Sequence, residues 1–259
     1  MPALGKASII INAETTAACK LNCFINMNEQ SKPIARIVGV GYATFDILNN
    51  IAAKFGDAVR VSVCDAANQA LTSDGAELLI LVADADPADL AKLTPPTGAA
   101  PELFLVMSTR DMPTPLNADS LMVAPLAEIE QSIDAILKII LNIAYIAIDF
   151  YDLWETLRHS NNFTVTIAEH RGEGALTRAV AQLREMCPTN YYRRLLLMLF
   201  ANHDAPIPIY ASEISVLPDW TSTLPDETDI RWGIDNDETL PEDTVRLVAI
   251  STCTAAPEL

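Results

Sequence analysis

Glycine is scarce in this chain of 259 residues, which contains only nine glycines against sixteen prolines. Average usage, roughly 7%, would supply about twice as many glycines. Loops that bind phosphate groups are rich in glycine because their backbone must approach the ligand closely. The composition therefore leaves few glycines for such loops.

Positive charge is also scarce, with 17 Lys and Arg residues against 34 Asp and Glu residues and a formal net charge of −17. Nucleic acids are bound through clustered Lys and Arg side chains, so we expect no nucleic-acid partner. Half of the residues are hydrophobic and a fifth are charged. This composition is typical of a protein with a hydrophobic core rather than of a disordered chain.

Membrane spans and metal-binding cysteine clusters are not expected either. The most apolar segment, residues 133–148, is shorter than the roughly 20 apolar residues that a membrane-spanning helix needs, and it favours a buried helix. The five cysteines include one close pair, Cys19 and Cys23, but no second Cys or His cluster follows, so we expect no metal site. The odd cysteine count favours free thiols, and the N-terminal residues fit neither a signal peptide nor a transit peptide, so we expect a cytoplasmic protein.

Apolar runs alternate with helical segments in the first half of the chain. This pattern predicts a Rossmann-like α/β domain with a parallel sheet over residues 34–125. Residues 126–149 predict a central buried helix, and residues 150–259 predict a smaller α+β domain because their strands and helices follow a different order. Residues 1–33 form an N-terminal extension without a structural assignment. The predicted strands are residues 34–40, 59–64, 78–83, 103–107 and 119–123 in the first domain and 163–168, 195–200, 228–234 and 245–251 in the second.

Two glycines, Gly39 and Gly41, lie between the first predicted strand and the first predicted helix. In that position a Gly-x-Gly pair can let backbone amides approach a pyrophosphate at a helix N-terminus. No third glycine follows in residues 42–45. The pair also fits a tight strand-to-helix turn without a ligand, which is the interpretation that we prefer.

The sequence resembles the FtsZ/tubulin superfamily, and bacterial FtsZ in particular. The segment RIVGVGYATFDILNNIAAKF is similar to the first strand, glycine-rich loop and first helix of FtsZ, and VRVSVCDAANQAL is similar to its second strand and the following loop. IAYIAIDFYDLWETL is similar to the end of its central helix and its synergy loop. GEGALTRAVAQL, RRLLLMLF and TDIRWGIDNDETLPEDTVRLVAIST follow the order of its second domain. The resemblance implies the FtsZ/tubulin-like fold over residues 34–252.

The departures from FtsZ are concentrated where the resemblance places GTP. The glycine-rich loop keeps Gly39 and Gly41, but residues 42–45 replace its further glycines and Asp46 replaces an asparagine. The signature GGGTGTG is replaced over residues 84–90 by a segment that contains Asp84 and Asp86. Asp86 is placed to cap a helix that begins at Pro87, so a carboxylate of the chain would stand where FtsZ binds phosphate.

These departures leave two interpretations of function. In the first, GTP binding and hydrolysis are lost and the chain is not an enzyme and holds no cofactor. It then acts through contacts with itself or with another FtsZ-family subunit, in a cell-division or cytoskeletal context. In the second, Mg²⁺ bridges carboxylates of a rebuilt pocket to the phosphates, and the chain is a filament-forming GTPase. We expect the first.

Asp149 and Asp152 remain where the resemblance places the acids of the synergy loop. In FtsZ the corresponding acids reach into the nucleotide pocket of the neighbouring subunit and help to position the hydrolytic water. The resemblance therefore makes Asp149 and Asp152 candidate catalytic residues that act in trans. The residue pattern alone also fits Asp149 as the N-cap and Asp152 as the third residue of a helix over residues 150–158, and we expect this capping role.

Overall fold

The computed structural model describes residues 33–64, 71–96, 100–112, 116–142, 144–186, 192–202 and 211–253. Residues 1–32, with Cys19 and Cys23, lie outside the described residues, and so does the FtsZ-like loop that follows Cys64. The chain divides into two compact units, Met1–Asp134 and Ala135–Leu259. No helix of the described residues is long and apolar enough to cross a membrane.

The first unit contains a parallel sheet. Its strands lie in the order β2-β1-β3-β4-β5, and each neighbouring pair is parallel. The side chains of β3 and β4 are buried along the whole strand, as expected for central strands covered on both faces. The predicted Rossmann-like domain is therefore confirmed. The strands are β1 (Ala35–Val40), β2 (Val59–Cys64), β3 (Leu78–Ala83), β4 (Leu103–Ser108) and β5 (Ser120–Val123).

Two helices of this unit begin at the carboxyl edge of the sheet. Helix α1 (Thr44–Phe55) follows β1, and the short helix α2 (Pro87–Leu90) follows β3. Because β1 and β3 are neighbours, the loops that lead into both helices lie side by side. This edge is the usual place for a ligand in open α/β sheets.

The predicted central helix is shorter than the sequence suggests. Helix α3 (Leu126–Leu141) begins where expected but ends eight residues before Asp149. Beyond it, Ile146 pairs with Ile234 through two backbone hydrogen bonds of 3.1 Å, and Ile148 is buried. The apolar run therefore continues past the helix because its last residues pack in extended conformation, which the apolar pattern alone does not distinguish from helix.

The second unit contains a mixed sheet with the strand order β7-β10-β8-β9. Strand β10 is antiparallel to β7 and β8, whereas β8 and β9 are parallel. Helices α5 and α7 contribute to a hydrophobic core with this sheet, so the predicted smaller α+β domain is confirmed. The elements are α4 (Phe150–Leu157), β6 (Asn161–Asn162), β7 (Thr164–Arg171), α5 (Ala175–Met186), β8 (Tyr192–Ala201), α6 (Ala211–Ile214), α7 (Val216–Thr221), β9 (Asp229–Asn236) and β10 (Thr244–Cys253).

Candidate functional site

The first candidate region is the loop pair, which we define as residues 41–43 between β1 and α1 and residues 84–86 between β3 and α2. Gly41 has a φ of +102°, and a Cβ atom there would lie 2.2 Å from the backbone oxygen of Asp84. A Cβ atom at Gly39 would lie 2.4 Å from Oγ1 of Thr44. Both glycines are therefore required by close packing within the chain itself.

Thr44 and Asp84 join the two loops to the strands below them. The Thr44 hydroxyl donates a hydrogen bond of 2.8 Å to the carbonyl oxygen of Gly41, and Thr44 is buried. The backbone amide of Asp84 donates to the carbonyl oxygen of Val40 at 2.8 Å. The first bond thus closes the loop between β1 and α1, and the second joins the loop after β3 to the end of β1.

The acids of residues 84–90 have partners of their own. Thr109 donates its hydroxyl to Oδ1 of Asp84 at 2.6 Å, and Arg110 forms an ion pair with Asp86. Lys92 pairs with Asp89 at 2.6 Å. Two of these three partners come from the segment that follows β4, which is the neighbour of β3.

Asp86 occupies the predicted position but does not act as predicted. It is the residue before α2, and Pro87 is the first helical residue, as expected. However, the Asp86 side chain makes no capping hydrogen bond. Its carboxylate points to Arg110 instead, because a guanidinium group competes for it with the amides of a four-residue helix.

Asp46, the fifth predicted position of this region, lies in the first turn of α1 and is exposed. Among the described residues, no group of three or more His, Cys, Asp or Glu side chains is arranged to hold a metal ion.

The second candidate region begins at Asp149, which starts helix α4. The Asp149 side chain accepts a hydrogen bond of 3.0 Å from the backbone amide of Asp152, and Oδ2 of Asp152 accepts one of 3.1 Å from the amide of Asp149. This reciprocal pair is a capping box. The predicted capping role of both acids is confirmed, and their role in trans catalysis stays a prediction.

Arg231 of β9 connects α4 to the sheet. Its guanidinium group donates to Asp152 at 2.6 Å, forms an ion pair with Glu155, and lies 3.4 Å from Oδ2 of Asp229. Partial burial lowers the pKa of Arg231, but the hydrogen bonds with these carboxylates outweigh it and raise the pKa above its ordinary value. Arg231 thus contacts three carboxylates.

Exposed apolar side chains lie on the same elements as Arg231 and its acids. We call Tyr145, Ile146, Tyr151 and Trp232 the α4–β9 surface, because they lie on α4, on β9 and on the segment paired with β9. Eight large hydrophobic side chains of the described residues are exposed, and four of them belong to this surface. Tyr145 is 68% exposed and Tyr151 58%. Another of the eight, Tyr42, belongs to the loop pair.

Sequence reasoning misses Arg110 and Arg231, the two cations that hold the acids of these regions. Arg110 follows Asp86 by 24 residues, and Arg231 follows Asp152 by 79. Arg231 does have a signal in the sequence, because it is the single cation among nine acids between residues 219 and 243.

Several solved structures resemble this chain in fold. An empty FtsZ dimer from M. jannaschii has a TM-score of 0.54 at 13% identity, over 86% of this chain and 89% of that one. A TubZ in GDP-form protofilaments, from Bacillus thuringiensis serovar israelensis, gives 0.54 at 8% identity, over 86% and 84%. CetZ from Methanosaeta thermophila gives 0.54 at 11% identity, over 87% and 88%.

By sequence, no family model and no curated protein matches the chain. The structural neighbours confirm the resemblance at the level of the fold. The chain therefore has the two-domain α/β fold of FtsZ, TubZ and CetZ.

Proposed function

We propose that this chain acts through protein contacts, with itself or with another FtsZ-type subunit, and that it no longer uses GTP. The α4–β9 surface is the observation that carries this proposal. Tyr145, Tyr151 and Trp232 are large, rigid side chains of the kind enriched in protein interfaces. A group of exposed aromatic side chains on one unit marks a place for a partner.

The contacts of the loop pair support the loss of GTP. At Gly39 and Gly41, neighbouring atoms of the chain occupy the space that a Cβ atom would need. The carboxylates of Asp84 and Asp86 lie where the resemblance places phosphates. A triphosphate at this edge would lie beside the carboxylates of Asp84 and Asp86, and it would compete with Asp86 for Arg110. A Mg²⁺ ion would have to compete with Arg110 for Asp86.

The solved neighbours support an assembly as the context of the contacts. One of them is an FtsZ dimer and another is a TubZ in protofilaments. We infer that the α4–β9 surface of one subunit contacts the loop pair of the next, where Tyr42 is exposed. Asp149 and Asp152 would then lie at the contact, whether or not the neighbouring subunit holds a nucleotide. We expect this assembly to form in the cytoplasm.

Sedimentation velocity of the full chain tests the proposal. We expect association that depends on protein concentration and is unchanged by GTP with Mg²⁺. Replacing both Tyr145 and Tyr151 by Ser should weaken the association, because two exposed aromatic anchors are lost. Met186→Ser is the matched control, since Met186 is 55% exposed but lies on α5, outside the surface.

A chain that stays monomeric and does not co-sediment with FtsZ-type filaments would contradict the proposal. Assembly that needs GTP would favour the alternative, a filament-forming GTPase with a rebuilt pocket. Circular dichroism of each variant verifies that the substitutions leave the fold intact.

A further inference from the structure

A cleft of about 340 Å³ lies beside the C-terminal end of α4, where α4 meets the first residues of β8 and β9. Its walls include Trp154, Arg158 and His159 from α4 and the turn after it, and Arg194 from β8. Such a volume lies within the range of small-molecule sites. Neither Asp149 nor Asp152 lines the cleft, although Asp152 contacts its wall residue Arg231.

The acids of the cleft contact a different arginine. Its two carboxylates, Glu155 and Asp229, both contact Arg231, the third arginine of its wall. Arg158 and Arg194 form no ion pair with a carboxylate of the described residues. Two guanidinium groups therefore face this cleft without a carboxylate partner among the described residues.

Partial burial distinguishes these two arginines from others. Arg158 and Arg194 are half-buried, and burying an unpaired charge is costly unless something outside the chain pairs with it. Some arginines that likewise lack a carboxylate partner among the described residues are exposed and solvated: Arg171, Arg178, Arg184 and Arg193.

Arg158 is held in a fixed orientation. Its guanidinium carbon lies 4.2 Å from the centroid of the Trp154 ring, and Trp154 in turn stacks on Tyr151 at 5.2 Å. Nε of Arg158 donates to Nε2 of His159 at 2.8 Å. These contacts use the face and the Nε of the guanidinium, so its two terminal nitrogens remain to donate in the plane of the group.

The backbone after α4 contributes to this orientation. His159 has a φ of +52°, a left-handed conformation that more often holds glycine at the end of a helix. This position holds a histidine in spite of the backbone cost, and its ring contacts Arg158.

Arg194 is positioned by the end of the same helix. Its Nη1 donates to the carbonyl oxygen of Arg158 at 2.8 Å and lies 3.4 Å from that of Thr156. These bonds satisfy carbonyl groups that the helix end leaves open. They also hold the guanidinium group of Arg194 at the cleft, beside the backbone of Arg158.

We propose that this cleft binds a small oxyanion ligand, a phosphate monoester or a carboxylate, through Arg158 and Arg194. Two arginines with planar donor groups suit the oxygen geometry of both anions. The inference does not depend on the proposed assembly, because all residues that line the cleft belong to the second unit.

Nuclear magnetic resonance of the full chain at low ionic strength tests the site. The probes are phenyl phosphate, inorganic phosphate and benzoate, each followed by the indole N–H signal of Trp154. We expect a saturable shift of that signal with phenyl phosphate or with benzoate, and the stronger binder identifies the anion. Saturation with inorganic phosphate alone also supports the site and limits the ligand to the anionic group.

Substitutions assign the binding to the two arginines. Arg158→Gln should raise the dissociation constant about tenfold or more, as expected for the loss of a charge-assisted hydrogen-bond pair. Arg158→Lys keeps the charge but loses the planar fork, so an intermediate loss is expected. The matched control is Arg193→Gln, which removes an exposed charge from the adjacent position of β8 and should leave binding unchanged.

Three results would overturn the inference. The first is no saturable shift with any of the probes. The second is equal weakening by Arg193→Gln and Arg158→Gln, which would indicate general attraction of anions. The third is wild-type binding by Arg158→Gln when its thermal unfolding shows an intact fold.

Discussion

The loop pair of the first unit and the region around helix α4 in the second unit both contain carboxylates, but they differ in what surrounds those acids. In the loop pair, Asp84 and Asp86 each have a separate partner. Neighbouring atoms occupy the space that a Cβ atom at Gly41 would need. Around α4, three acids share Arg231, and exposed aromatic side chains lie beside them. Acidic residues in a sequence therefore do not by themselves indicate whether a binding site is lost or present, because this depends on the partners of their carboxylates.

Gly41→Ala should produce the largest loss of stability. The new Cβ atom would clash with the backbone oxygen of Asp84, and the residue would keep a φ that L side chains rarely adopt. We expect the free energy of unfolding to fall by about 3 kcal/mol, measured by urea denaturation. Gly56→Ala is the control, since Gly56 also has a positive φ but has no atom within 4 Å of the added Cβ.

The Gly56→Ala variant should lose less, about 1 to 2 kcal/mol, from backbone strain alone, because its backbone has a positive φ but no neighbour that the Cβ atom would meet. Equal losses at the two glycines would mean that the loop pair is not closely packed. That result would remove the contrast between the two regions.

Arg231→Met should have the next largest effect. It leaves Asp152, Glu155 and Asp229 without their shared cation, and we expect a loss of about 1 to 2 kcal/mol at neutral pH. The carboxylates repel one another once Arg231 is gone, so added salt should reduce the loss by screening that repulsion. Chemical denaturation at low and at high salt measures this, with Arg193→Met as an exposed control; a loss that is independent of salt would contradict the electrostatic account.

Asp149→Ala should cost about 1 kcal/mol because helix α4 loses its N-cap. Asp149→Asn keeps a capping oxygen and should cost much less. The two variants also distinguish a structural role of Asp149 from a catalytic role in trans. If Asp149 takes part in the GTPase reaction of a neighbouring subunit, Asp149→Asn should lower that subunit's turnover and leave the thermal stability of this chain almost unchanged. If both variants leave the GTPase rate of an FtsZ-type partner unchanged, the role of Asp149 is structural.

Asp86→Asn should have the smallest effect. Its pair with Arg110 is exposed, and exposed ion pairs typically contribute about 0.2 to 1 kcal/mol. Thermal unfolding measured at low and at high salt should show a small loss that salt removes. A large, salt-independent loss would contradict the assignment of this pair as an exposed, screened contact.

Local pattern predicted much of the fold. The bounds of β2 and β3 agree with the predicted runs at 59–64 and 78–83, and the capping pair Asp149 and Asp152 follows from its spacing alone. These features depend on residues within a few positions of one another, which is the range over which sequence pattern is informative.

Long-range pairing explains what the sequence could not predict. The Asp86 carboxylate bonds to Arg110 and not to its own helix, and Arg231 reaches acids about 80 residues away. The end of α3 was missed because Ile146 and Ile148 are apolar whether they lie in a helix or beside β9. The arginine cleft was missed because Arg158 and Arg194 are brought together by the fold and by no motif.

Calorimetric titration of the full chain with GTP in the presence of Mg²⁺ tests the central claim most directly. The account predicts no binding heat up to millimolar GTP, because Asp84 and Asp86 stand at the edge where the resemblance places the phosphates. A saturable binding curve with a micromolar dissociation constant would contradict it and favour the GTPase alternative.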